Sequence, residues 1–197
     1  MPTKRPAPAP DQPRRRADAE RSVARIMDAA VEALASDPEA SMAEIARQAG
    51  VVRATIYVHF PTREFLIEAV TDRAIAEATA VIQAAEPERG GAADALRRVL
   101  ASAWRTLGRY HSLVALNAQL PHADLRSKHH AILASLGPLI ERGQRDGSFR
   151  SDVPTAWHLS MVLALIHAAS AELRSGRMRE EDAEGALLAT VLGAVGE

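Results

Sequence analysis

Cysteine is absent from the 197 residues, which excludes a disulfide framework, a thiolate nucleophile and a cysteine zinc site. Aromatic residues are scarce at three Phe, two Trp and two Tyr, whereas alanine occurs forty times. With few β-branched runs, that composition favours helix and rules out an all-β sandwich or barrel. The longest uninterrupted apolar stretch is Met161 to Ile166, against the roughly 20 residues of a membrane span, and the prolines of the first segment leave no signal peptide. A cytoplasmic chain with no membrane partner is expected. Enzyme signatures are missing too: there is no Gly-x-Ser-x-Gly elbow, no phosphate-cradling glycine loop and no obvious carboxylate pair. None of the seven histidines forms a His-x3-His or His-Glu-x-x-His pair, and adjacent His129 and His130 would point about 100° apart on a helix. No enzyme, metal site or cofactor is therefore expected.

What remains is 47% apolar and 25% charged, enough to bury one or two ordinary cores. The formal net charge of -1 hides an uneven distribution. Lys4, Arg5, Arg14, Arg15, Arg16, Arg21 and Arg25 face only Asp11, Asp18 and Glu20 within the first 25 residues, a basic leader that a phosphate backbone would attract. Five of the eleven prolines lie within the first thirteen residues and forbid regular structure there, so residues 1–17 read as a disordered basic tail.

The other prolines divide the chain into helices, giving an all-α fold. Apolar Val23, Ile26, Met27, Ala30, Val31 and Leu34 recur at helical spacing over 18–35. Ser41-Met42-Ala43-Glu44 is a capping box that opens a short helix ending at Gly50. Further helices are expected over 52–60, over 62–85 with Thr62 as cap, and, past a hinge at Pro87 and Gly90-Gly91, over 92–109. The pattern continues with helices over 111–120, over 125–145 with a kink at Gly137-Pro138, over 155–174 and over 180–195. Residues 18–66 read as one small helical domain and 67–197 as a larger one.

The sharpest signal lies between Met42 and Phe60: a short helix, a glycine turn and a second short helix, with Ile45, Ala46, Ala49, Val51, Ile56 and Phe60 able to form one small core. This is helix-turn-helix spacing. Turning Ile56 and Phe60 inward leaves Ala54, Thr55 and Val58 facing away, with Arg53 and Tyr57 beside them, a face suited to the major groove. A helical hairpin that only packs, in an interaction protein without DNA binding, is the alternative.

The run Ile45-Ala46-Arg47-Gln48-Ala49-Gly50-Val51 followed by Ala54-Thr55-Ile56-Tyr57-Val58-His59-Phe60-Pro61-Thr62-Arg63-Glu64 resembles the DNA-binding signature of TetR-family transcriptional regulators. Ala24-Arg25-Ile26-Met27-Asp28-Ala29-Ala30 resembles that family's first helix. The resemblance implies a homodimeric repressor. Its 18–66 domain would bind a palindromic double-stranded operator, and its 67–197 domain would dimerise and take a small, largely apolar effector that releases the DNA. On it, Arg53, Ala54 and Tyr57 would address base edges, while Thr55, Tyr57, His59 and Arg63 would hold phosphates. The pattern departs at Val52, where a Ser or Thr cap is usual, at Leu34, and at Ser36-Asp37-Pro38, which replaces a glycine turn.

For the effector, Trp104, Tyr110, Leu113, Leu116, Asn117, Leu120, Leu133, Leu136, Met161 and Leu165 form the set from which either a cavity or an ordinary core would be built. Asn117 and His167 are polar groups amid apolar neighbours, which need partners if buried. Dimerisation through the last two helices is expected, because 155–174 is apolar nearly all round and Gly185, Ala189 and Gly193 leave a small-residue strip on the final helix.

Overall fold

Asp37, Pro38, Gly50 and Pro61 stop helices early, and they confine the first four helices to a small unit in the computed structural model, which describes residues 12–117 and 122–196. These are α1 (Gln12–Ser36), α2 (Met42–Gln48), α3 (Arg53–His59) and α4 (Arg63–Ala84). The larger region comprises α5 (Ala92–Leu107), a 3-10 turn (Gly108–Tyr110), α6 (His111–Asn117), α7 (His122–Lys128), α8 (His130–Arg145), α9 (Thr155–Arg174) and α10 (Glu180–Val195). Among the described residues there is no strand, so the chain is all-α with an N-terminal helix-turn-helix unit followed by a larger helical domain.

Two of the expected boundaries need correction. Helix α1 begins at Gln12, so residues 12–17 are helical and are not tail; Pro13 falls in the first turn, where a missing N–H costs nothing. The expected tail's residues 1–11 lie outside the described residues. The break expected at Gly137-Pro138 falls instead at His129, between α7 and α8, and Pro138 sits inside a continuous α8. Both Pro138 and Ala134 are exposed, so the carbonyl that proline leaves unpaired faces water, which removes the reason to break there.

The first core gathers Ile26, Leu34, Ile45, Ile56 and Leu66, all essentially fully buried, and each contributes about 1.5–3 kcal/mol by leaving water. It also takes in Leu107, Tyr110, Leu113 and Val114 from the larger region. The second core lies between α5, α8, α9 and α10 around Leu96, Val99, Ile140, Phe149 and Val191. Helix α4 serves both, since Leu66 and Val70 belong to the first and Ile82 to the second. Asp28 on α1 ties the two regions electrostatically, accepting from Arg73 on α4 at 3.0 Å and from Arg109 at 2.8 Å.

The stretch expected to act as a hinge is pinned. Arg98 donates to the carbonyls of Ala85 (2.8 Å), Glu86 (2.9 Å) and Arg89 (2.9 Å), while Arg142 donates to those of Pro87 (2.9 Å) and Glu88. These bonds hold Glu86 at φ 51, a conformation that costs a non-glycine residue roughly 1 kcal/mol. Helix α9 is long and apolar enough to span a bilayer by length and composition, with mean hydropathy 1.2, which a count of uninterrupted runs misses because Ser160 and His167 interrupt it. In the fold it packs on α6, α8 and α10 and buries His158, His167 and Ser170.

Candidate nucleic-acid interface

Ser41 fixes where α2 starts. Its hydroxyl accepts from the Glu44 backbone N–H at 3.3 Å, and the Glu44 carboxylate accepts from the Ser41 N–H at 2.8 Å and its hydroxyl at 2.7 Å. Those bonds, the side-chain one first, hold the Glu44 carboxyl below the usual carboxylate range. At the other end Val51 N–H donates to Ala46 O at 3.0 Å and Gly50 N–H to Arg47 O at 3.2 Å, the paired closure that needs a left-handed residue between helices; Gly50 supplies it at φ 64. The turn thus sets α3 across α2, with Ile56 wholly buried and Phe60 nearly so.

With that anchor the opposite side of α3 is open. Val52 is 71% exposed and Val58 77%, and Arg53, Ala54 and Tyr57 are exposed as well. Thr55 and His59 are half-buried at the edges. The Arg53 guanidinium lies over the Tyr57 ring, 5.7 Å from its centre, so the two side chains support each other in presenting a flat, cationic surface. Val52 is the N-cap and makes no side-chain cap bond, leaving the first N–H groups of α3 without that partner.

Arg63 does not join this face. Its Nε donates to Ala40 O at 3.2 Å and its Nη2 to Pro38 O, so the guanidinium is spent on tying the start of α4 to the α1–α2 turn. In that turn the Asp37 carboxylate accepts from the Glu39 N–H at 2.9 Å, doing by a side chain what a glycine turn would do by backbone freedom. Thr62 caps α4 by accepting from Phe65 N–H at 3.2 Å, and Phe65 itself is 52% exposed beside Phe60, an apolar group at the margin of the face that periodicity does not single out.

The expected effector residues divide. Leu113 and Asn117 line a small cavity between α4, α6, α8 and α9, of about 40 Å³. Leu120 lies outside the described residues. Trp104 and Leu136 are buried in the second core; Leu133, Met161 and Leu165 pack partly buried against it. Tyr110 is fully buried, its hydroxyl donating to Glu77 at 2.9 Å, and burial followed by that bond pushes its pKa up. None of these six borders the cavity, because their apolar stripes are consumed in helix packing. Thr71 on α4 and His129 at the break between α7 and α8 also border it, polar residues that helical spacing does not assign to a ligand.

Comparison with known proteins follows the same division. Residues 26–70 match the family described as bacterial regulatory proteins, tetR family. The chain is 29% identical over 164 residues to the HTH-type transcriptional repressor LfrR of Mycolicibacterium smegmatis, covering 82% of this chain and 84% of that protein. It is 28% identical over 159 residues to the HTH-type transcriptional regulator NfxB of Pseudomonas aeruginosa, covering 78% and 83%. Among solved structures, the fatty acid degradation regulator FadR of Bacillus halodurans superimposes with a TM-score of 0.73 at 19% identity over 87% of this chain and 95% of that one. LfrR in complex with proflavine does so with a TM-score of 0.71 at 24% identity over 91% and 99%.

Proposed function

We propose, from the match of residues 26–70 to bacterial tetR-family regulators and the 28–29% identity to two HTH-type regulators, that the chain is a TetR-family repressor that binds a palindromic operator as a homodimer and is released by a small, largely apolar effector. The observation that carries the reading is the anchored α3, with Ile56 buried beneath it and Val52, Arg53, Ala54, Tyr57 and Val58 turned to solvent. Arg53 addresses a guanine edge. Ala54, Val58 and the Tyr57 ring make apolar contact with thymine methyls, and Thr55, His59 and the Tyr57 hydroxyl fix the register on phosphates. With one bidentate base reader per subunit, DNA shape supplies part of the specificity.

Dimerisation uses α9 and α10. Trp157 is 63% exposed, and Ala164, Ala168, Gly185, Ala189 and Gly193 are exposed with it, an apolar and small-residue surface left over once both cores are filled. The effector enters the cavity bordered by Leu113 and Asn117. Thr71, Ala74 and Ile75 of α4 form one wall, and a ring-sized ligand exceeds the space available, so it must press on the helix that carries the reader. A preference of about 3 kcal/mol for the displaced arrangement weakens operator binding roughly 100-fold. LfrR in complex with proflavine supports a small-molecule effector for this chain as well. The protein would work where bacterial DNA is, in the cytoplasm.

A gel shift of the full chain against DNA flanking its own coding region tests the reading. Arg53→Ala and Tyr57→Ala each weaken binding by about 1–3 kcal/mol while leaving the helical circular dichroism unchanged. No shift with the wild-type chain, or a shift that both substitutions leave intact, points instead to a helical interaction protein.

A further inference from the structure

Resting on the effector reading above, the geometry points to the chemical class of the effector: we infer that the cavity takes a neutral, largely apolar molecule carrying one hydrogen-bond donor, a phenol, alcohol or aryl amine, whose proton is accepted by Nε2 of His167. His167 is 4% exposed and borders the cavity. Its Nδ1 lies 2.8 Å from the carbonyl oxygen of Val114, an atom that only accepts, so Nδ1 carries the proton. In the neutral ring Nε2 is then a bare acceptor, and it is buried with no partner among the described residues. An acceptor stranded in an apolar interior is destabilising, and a donor arriving with a ligand recovers that loss.

The surroundings select the donor and its charge. His129, set edge-on at 5.3 Å between ring centres, commits its own Nδ1 proton to Leu125 O at 2.8 Å. Thr71 gives its hydroxyl proton to Ile67 O at 2.8 Å and accepts from Asn117 Nδ2 at 3.3 Å. Neither neighbour therefore offers His167 a proton. Burial holds the pKa of His167 down to about 4 and lowers that of His129, so both rings are neutral near pH 7. Among the described residues no Asp, Glu, Lys or Arg lines the cavity, and a carboxylate or ammonium brought into it would be desolvated without a counter-charge from them. A neutral donor on an apolar frame meets each condition.

The test compares 4-ethylphenol with 4-ethyltoluene, near-isosteres that differ by a hydroxyl against a methyl, by calorimetry on the full chain. The phenol binds at least tenfold more tightly to the wild type, and His167→Phe, which keeps ring volume, removes that advantage. Because the substitution also frees the Val114 carbonyl, a second readout uses the wild type alone: the 15N resonance of His167 Nε2 moves upfield with the phenol and stays put with the toluene. Equal affinity for the two probes, a phenol advantage that survives His167→Phe, or no binding of either because only water occupies the cavity overturns the inference. The effector reading itself is judged separately, by whether a panel of apolar compounds releases operator DNA; release without donor selectivity rejects the His167 role alone.

Discussion

A hydrogen atom's worth of space decides the residue at position 143. A Cβ placed there would lie 2.0 Å from the Phe149 ring, and Phe149 is 1% exposed with no room to retreat. Gly143→Ala gains about 1 kcal/mol of helix propensity, but the overlap forces a core side chain off its rotamer and wins, for a net loss of about 1–3 kcal/mol by urea denaturation. Unchanged or raised stability contradicts the packing described. His167 provides a second residue-scale expectation. Its folded pKa of about 4 lies below the roughly 6.5 of an unfolded histidine, so between these values the unfolded chain binds more protons. Stability is fully present above pH 6.5 and falls as pH drops toward 4. This one group accounts for about 2 kcal/mol between pH 7 and 5, to which His111, His129 and His158, also lowered by burial, add in the same direction. Urea midpoints at pH 7 and 5 check this, and equal midpoints contradict it.

At the scale of elements, α9 and α10 end where punctuation and periodicity place them, since Pro154, Gly176 and the acidic run at Glu180 act locally. The α2–turn–α3 unit was legible for the same reason: a capping box and a left-handed glycine state their geometry within twenty residues of chain. Arg63 was not, because whether an arginine meets a phosphate or two backbone carbonyls depends on a turn more than twenty residues upstream. The cavity was mostly hidden too. Thr71, Asn117 and His167 come from three separate helices and His129 from the break between α7 and α8, and periodicity reads the stripe on each helix but not that these stripes face one another. The proposed subunit contact is testable on α10 alone. Ala189→Arg puts a long cation on an exposed small-residue strip, where it leaves the subunit fold intact and drives the protein to monomer at micromolar concentration in sedimentation. A variant that sediments like the wild-type dimer contradicts the assigned face.

For the whole molecule, the two cores are joined by α4, by the Asp28 contacts to Arg73 and Arg109, and by a loop that two arginines pin. That connectivity couples α3 mechanically to the cavity walled by α4, whereas the proposed DNA contacts rest on Arg53, Tyr57 and the phosphates they would meet. The central claim, that α3 reads DNA in a dimer, is tested most directly by the salt dependence of operator affinity, measured by fluorescence anisotropy on the full chain. If each subunit engages about four phosphates, the dimer neutralises about eight, and the logarithm of the association constant falls with the logarithm of salt concentration at a slope of roughly -7. A slope near zero, or no binding at any salt concentration, contradicts the account.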